Sequence, residues 1–120
     1  MKSFGTYVRK RRERLRAGDP DYSLRKVAAR IGVAPSFLSN VERGQESPPS
    51  EPKIHALANV LGEDPDVLLA LAGKISTDLQ QAICHRPQVF ARLIRELKDL
   101  PDHAVEQVEQ AARQVREGQW

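Results

Sequence analysis

A chain of 120 residues, 40% of them hydrophobic, has room for one small domain and an accessory element but not for two large domains. Mean hydropathy is negative and no apolar run approaches the roughly 20 residues that a membrane-spanning helix needs. The net charge of +3 is unevenly spread: residues 1–30 carry ten basic against three acidic side chains, residues 31–60 a net −1 and residues 61–120 a net −3, so a polyanionic partner is expected at the amino-terminal end.

In chain order, Met1-Lys2-Ser3-Phe4-Gly5 leads directly into a basic amphipathic segment with no apolar signal region, so a cytoplasmic location is expected. Phe4, Val8 and Leu15 form the inward stripe of a first helix whose other faces carry Arg9, Lys10, Arg11 and Arg14. Arg12 falls on that stripe too, four residues after Val8. Asp19-Pro20-Asp21 ends the segment, and Arg16 to Tyr22 either lengthen the first helix or form a loop. Ser23 is a suitable N-cap for a short helix in which Leu24, Val27, Ala28 and Ile31 repeat at i, i+3, i+4, i+7, with Gly32 as its left-handed stop.

A further helix begins almost at once. Pro35 suits its first turn, Leu38 and Val41 face inward, and Gly44 closes it. Glu42 lies four residues after Leu38 on the same inward side. Arg12 and Glu42 would each be costly if buried alone, so they are expected to meet as an ion pair that orients this helix. Gln45 to Pro52, with three prolines, is a surface loop. Ile54, Leu57, Ala58 and Leu61 mark a fourth helix, and Asp64-Pro65 starts a fifth that holds Val67, Leu68 and Leu71 and stops at Gly73.

Three more helices are expected after it: Ser76 to about His85, Pro87 to about Leu100, and Pro101 to about Glu117. Cys84, the single cysteine, excludes an internal disulfide, and no Cys/His spacing resembles a metal site; neither a metal nor a cofactor is expected. His55, His85 and His103 sit on different helices, and there is no glycine-rich phosphate loop or nucleophile–base pattern, so enzymatic activity is not expected. The fold class is all-α, divided into residues 1–73 and a helical accessory region over residues 74–120.

Small Ala28, the Gly32 corner, inward Leu38 and Val41, and the ending Glu42-Arg43-Gly44 form a helix, a three-residue turn and a second helix. The segment Ser23 to Gly44 resembles the helix-turn-helix of the xenobiotic-response-element family of lambda-repressor-like and Cro-like regulators, and the resemblance extends from about Phe4 to Gly73. It implies a five-helix DNA-binding domain whose third helix enters the major groove of double-stranded DNA. Pro35, Ser36, Ser39 and Asn40 would then read bases, Asn40 by a two-point hydrogen bond to adenine. Ser36 could instead cap its own helix, and Phe37 could either pack in the core or touch a thymine methyl. Arg25, Lys26, Arg43 and Arg14 would contact phosphates. Related repressors also place an arginine–glutamate pair where Arg12 and Glu42 stand. Ala34-Pro35 departs from the family's commonest pattern of a hydroxyl cap followed by a long amide, so base preference does not carry over by analogy.

One reading helix covers few base pairs, so a homodimeric transcription regulator, a repressor on a near-palindromic operator, is the expected function. Phe90, Leu93, Ile94, Leu97, Val105 and Val108 are the expected dimer contacts. The other reading is a DNA-binding antitoxin whose helical tail holds a protein partner; helix caps along the tail favour the plain regulator.

Overall fold

The computed structural model describes residues 2–118, and every regular element among them is helical. The chain separates into two compact units, Met1–Thr77 and Asp78–Trp120. In the first, helices α1 (Lys2–Arg16), α2 (Leu24–Ile31), α3 (Pro35–Glu42), α4 (Glu51–Leu61) and α5 (Pro65–Leu71) enclose a single apolar core. Phe4, Val8, Val27, Leu38, Ile54, Leu57 and Leu68 are among its fully buried members, and each such side chain contributes about 1.5–3 kcal/mol by leaving water.

Between α1 and α2 the sequence left a longer helix or a loop open; the chain forms a short 3₁₀ turn over Pro20–Tyr22. Asp19 nucleates it, its Oδ1 accepting the Asp21 N–H at 2.9 Å. Helix α2 starts on the Ser23 hydroxyl, which accepts the Lys26 N–H, and stops at Gly32, whose φ of 76° suits a residue without a Cβ. A cap from outside the segment completes that end: Lys53 of α4 donates through Nζ to the carbonyl of Ile31 at 2.9 Å. Helix α3 has no side-chain cap. Ala34 holds the N-cap position and Pro35 the first turn, so Ser36 is a solvent-exposed helical residue and not a cap.

Two contacts on one face of α1, seven residues apart, fix α3 against it. A methyl group at Gly5 would overlap the Val41 carbonyl oxygen and lie 2.8 Å from that of Glu42; only glycine lets the backbones approach this closely. Two turns further on, Arg12 Nε and Nη2 grip the Glu42 carboxylate at 2.8 and 2.9 Å, and each side chain is only 3% exposed. Arg12 also donates to the Tyr22 carbonyl and to Glu13. The bonds to Glu42 raise the Arg12 pKa above its ordinary value against the opposing effect of burial, so the guanidinium stays charged. On another face, Arg11 Nε reaches the Leu61 carbonyl and Glu63, each at 3.1 Å, and the Tyr7 hydroxyl donates to Glu63. Acceptance by Glu63 raises the Tyr7 pKa.

The end of this unit is tied to its middle. Glu51, in the first turn of α4, accepts the Thr77 N–H and hydroxyl, both at 3.0 Å, and Lys74 Nζ donates to the Pro49 carbonyl. The Thr77 amide, then its hydroxyl, hold the Glu51 pKa below the ordinary glutamate value.

The second unit comprises α6 (Thr77–His85), α7 (Pro87–Leu97) and α8 (Asp102–Arg116). Helix α7 ends three residues before Leu100, since Pro101 disfavours helical geometry in the residue before it. None of the described residues in these three helices is buried. Leu93 and Ile94 on α7 are 40% and 48% exposed, and Val108 on α8 is 37% exposed.

Gly5→Ala is expected to destabilise the first unit by about 1–3 kcal/mol through backbone displacement, measurable as a lower urea midpoint. Arg12→Met alone strands a buried carboxylate and should cost about 3–5 kcal/mol, whereas Arg12→Met with Glu42→Leu should recover most of that loss; equal losses in single and double variants would contradict this account of the pair. For Glu51, the depressed pKa means that its contribution is present above about pH 4.3 and fades as pH falls through the lower folded value. Amide exchange at Thr77 should therefore show protection at neutral pH that is lost on acidification, and Glu51→Ala should abolish it at every pH.

Candidate nucleic-acid interface

Helix α3 is short and two-sided. Leu38, Val41 and Glu42 face inward and are buried, and Phe37 is half-buried and packs against the core. Pro35 and Ser36 are exposed, and Ser39 and Asn40 are partly exposed along the opposite side. The four positions expected to read bases thus share the outer face of one helix. Its inner face is held by the α2–α3 corner on one side and by α1 on the other.

The basic residues fall into separate groups. Arg43, the exposed residue after α3, lines a hollow with Arg9, Arg12, Leu24, Ser39 and Glu42. Arg9 and Lys10 of α1 share a second hollow with Arg43. Arg9 is therefore beside the outer face of α3, a role that sequence reasoning missed; its place one turn before Glu13 on α1, three residues from inward Arg12, was the available signal. Arg14 lies elsewhere, in a groove with Tyr7, Lys10, Arg11 and Glu63, and the structure does not bring it to Arg43.

Arg25 is exposed in the first turn of α2 and forms no ion pair among the described residues. Lys26, beside it, is already engaged: its Nζ donates to Asp21 at 2.8 Å, both side chains being well exposed. That bond lowers the Asp21 pKa and raises that of Lys26. A phosphate at Lys26 would have to compete with the aspartate, and water screens the pair enough for exchange to be cheap. Arg30 is committed to a stacked position over the Tyr22 ring, 5.5 Å from its centroid. Arg43 also has a partner: its Nη2 donates to Asn40 Oδ1 at 2.6 Å.

Among the described residues no cluster of His, Cys, Asp or Glu could hold a metal ion, and no helix is long and apolar enough to cross a membrane. What the unit offers is an exposed helix edge of two hydroxyls and an amide, with the guanidinium groups of Arg9 and Arg43 beside it. A major groove admits an α-helix, and hydroxyl and amide groups are chemically able to pair with base edges there.

Comparison with curated proteins and with solved structures gives no match. A family model described as a helix-turn-helix domain matches residues 3–71, from the second residue of α1 to the last of α5. More than half of the chain is covered, and the chain accordingly belongs to the helix-turn-helix family of the xenobiotic-response-element and Cro-like kind, a family of DNA-binding domains.

Proposed function

We propose that the protein is a sequence-specific transcription regulator, a repressor that binds a near-palindromic operator as a homodimer. The observation that carries this reading is the two-sidedness of α3: Glu42 is anchored by Arg12 while Pro35, Ser36, Ser39 and Asn40 stay clear of the core. In the major groove that outer face meets base edges. Arg9 on α1 stands beside it, and Arg9 together with Arg25 and Lys26 on α2 would neutralise phosphates, fixing register without reading sequence. Arg14, facing the α4–α5 corner, would contribute only where the duplex bends toward it.

A single reading helix needs a second copy to reach useful affinity. The accessory region supports this requirement with apolar surface that its own helices leave uncovered at Leu93 and Ile94 of the amphipathic α7 and at Val108 of α8, while Phe90, Leu97 and Val105 are half-buried. That surface would join two copies and set the distance between half-sites.

Selection of bound duplexes from a random pool by the full chain tests the reading. It should return two related half-sites about 10 base pairs apart, centre to centre, and the chain should sediment as a dimer. Leu93→Asp with Ile94→Asp should yield a folded monomer that has lost operator affinity. A wild-type monomer would instead favour a protein partner for the tail, as in an antitoxin. Arg9→Ala and Arg25→Ala should each weaken binding to every duplex and reduce the slope of log affinity against log salt by about one; unchanged slopes would remove them from the phosphate contacts.

A further inference from the structure

The contact between Asn40 and Arg43 bears on which base the protein reads. A guanidinium has donors only, so the Asn40 amide must turn its oxygen toward Arg43 and its NH2 group away from it. An asparagine reads adenine by offering an acceptor to N6–H and a donor to N7 at the same time. Here the acceptor is engaged at 2.6 Å by a cation. Its remaining lone pair sits in a positive field that disfavours the approach of a second donor such as the adenine amino group. What the pair presents outward is the Asn40 NH2 group and the unused N–H groups of Arg43, all of them donors.

We infer that Asn40 and Arg43 act as one donor-only unit that reads guanine, whose major-groove edge carries two acceptors, N7 and O6. This rests on the reading of α3 as the base-contacting helix. It replaces adenine as the target of Asn40 and turns Arg43 from a phosphate contact into a specificity-determining residue. The geometry suits that role. Arg43 follows α3 directly and is exposed, Asn40 lies one turn before it, and the hydrogen bond between them holds the two side chains together on one outer face. Neither side chain belongs to the buried core, so the substitutions below leave the fold in place.

The test uses the full chain and its selected operator. Among the enriched half-sites, one position should be guanine, and replacing that base with 7-deazaguanine, which lacks the N7 acceptor, should weaken binding by about tenfold. Arg43→Ala and Asn40→Ala should each cost a similar factor on the guanine site and flatten preference at that same position, while the salt slope stays within about half a unit of wild type. The double variant should lose little more than either single one, because the two side chains act together. Adenine enriched at the position that Asn40→Ala flattens would overturn the inference and leave the base-reading role of α3 intact. Arg43→Ala weakening all duplexes equally, with a slope shallower by about one, would also overturn it by returning Arg43 to the phosphates. If no motif is enriched although duplex binding persists, sequence-specific reading itself fails, and the inference with it.

Discussion

The pose of α3 depends on how its last turn is held by α1. Gly5 admits the carbonyls of Val41 and Glu42 at a distance that no other residue tolerates, and Arg12 takes the Glu42 carboxylate in a two-point grip. The first contact sets how close the helices come; the second sets rotation and register. A buried ion pair is a poor source of net stability, because desolvation cancels most of the attraction. Its geometry is nonetheless unforgiving, since two parallel N–H···O bonds fix direction as well as distance. Apolar packing around Leu38 and Val41 could bury α3 in several rotations, but only one of them satisfies Arg12.

Much of this architecture is legible in the residues themselves. Helical periodicity marks all eight helices, and the Ser23 cap with the Gly32 stop brackets α2 because each has a backbone reason to stand there. Arg12 and Glu42 can be paired from period alone, since a charge on an inward stripe demands an opposite charge on another. Other features are illegible because they depend on residues far apart in sequence. No local signal tells Lys53 to cap α2, Glu51 to bind Thr77, or Arg11 to reach the Leu61 carbonyl. Gly5 looks like a weakness in a helix until the carbonyls across from it are seen. The 3₁₀ turn at Pro20–Tyr22 is equally hidden, since a proline flanked by aspartates fits several turns. The partly engaged state of Lys26 and Arg43 could not be read from charge counts, which treat every cation as available.

Those commitments limit how many cations are available to a polyanion. Arg11, Arg12, Arg30, Lys53 and Lys74 of the first unit are spent on carbonyls, carboxylates or a ring inside the fold. Internal pairing also keeps the basic segment from repelling itself. Beside the outer face of α3, Arg9 and Lys10 remain uncommitted among the described residues, Arg43 is shared with Asn40, and Arg25 is exposed on α2. A small number of phosphate contacts implies weak non-specific binding, so on the proposed reading discrimination among sequences would come largely from base edges and from joining two reading helices.

The two units obey different energetics, and the difference has a functional meaning. The first unit buries a continuous core under five short helices, none longer than 15 residues, and ties its last residues back through Glu51. The three helices of the second contain no buried side chain among the described residues, though α7 is strongly amphipathic. Short helices rarely persist in water on propensity alone; most of their stability comes from covering an apolar face. Helices α6 to α8 therefore gain from any partner that takes Leu93, Ile94 and Val108 out of solvent. If that partner is a second copy, folding of the accessory region and pairing of the reading helices become a single equilibrium, and the protein's concentration sets how much DNA-competent dimer exists.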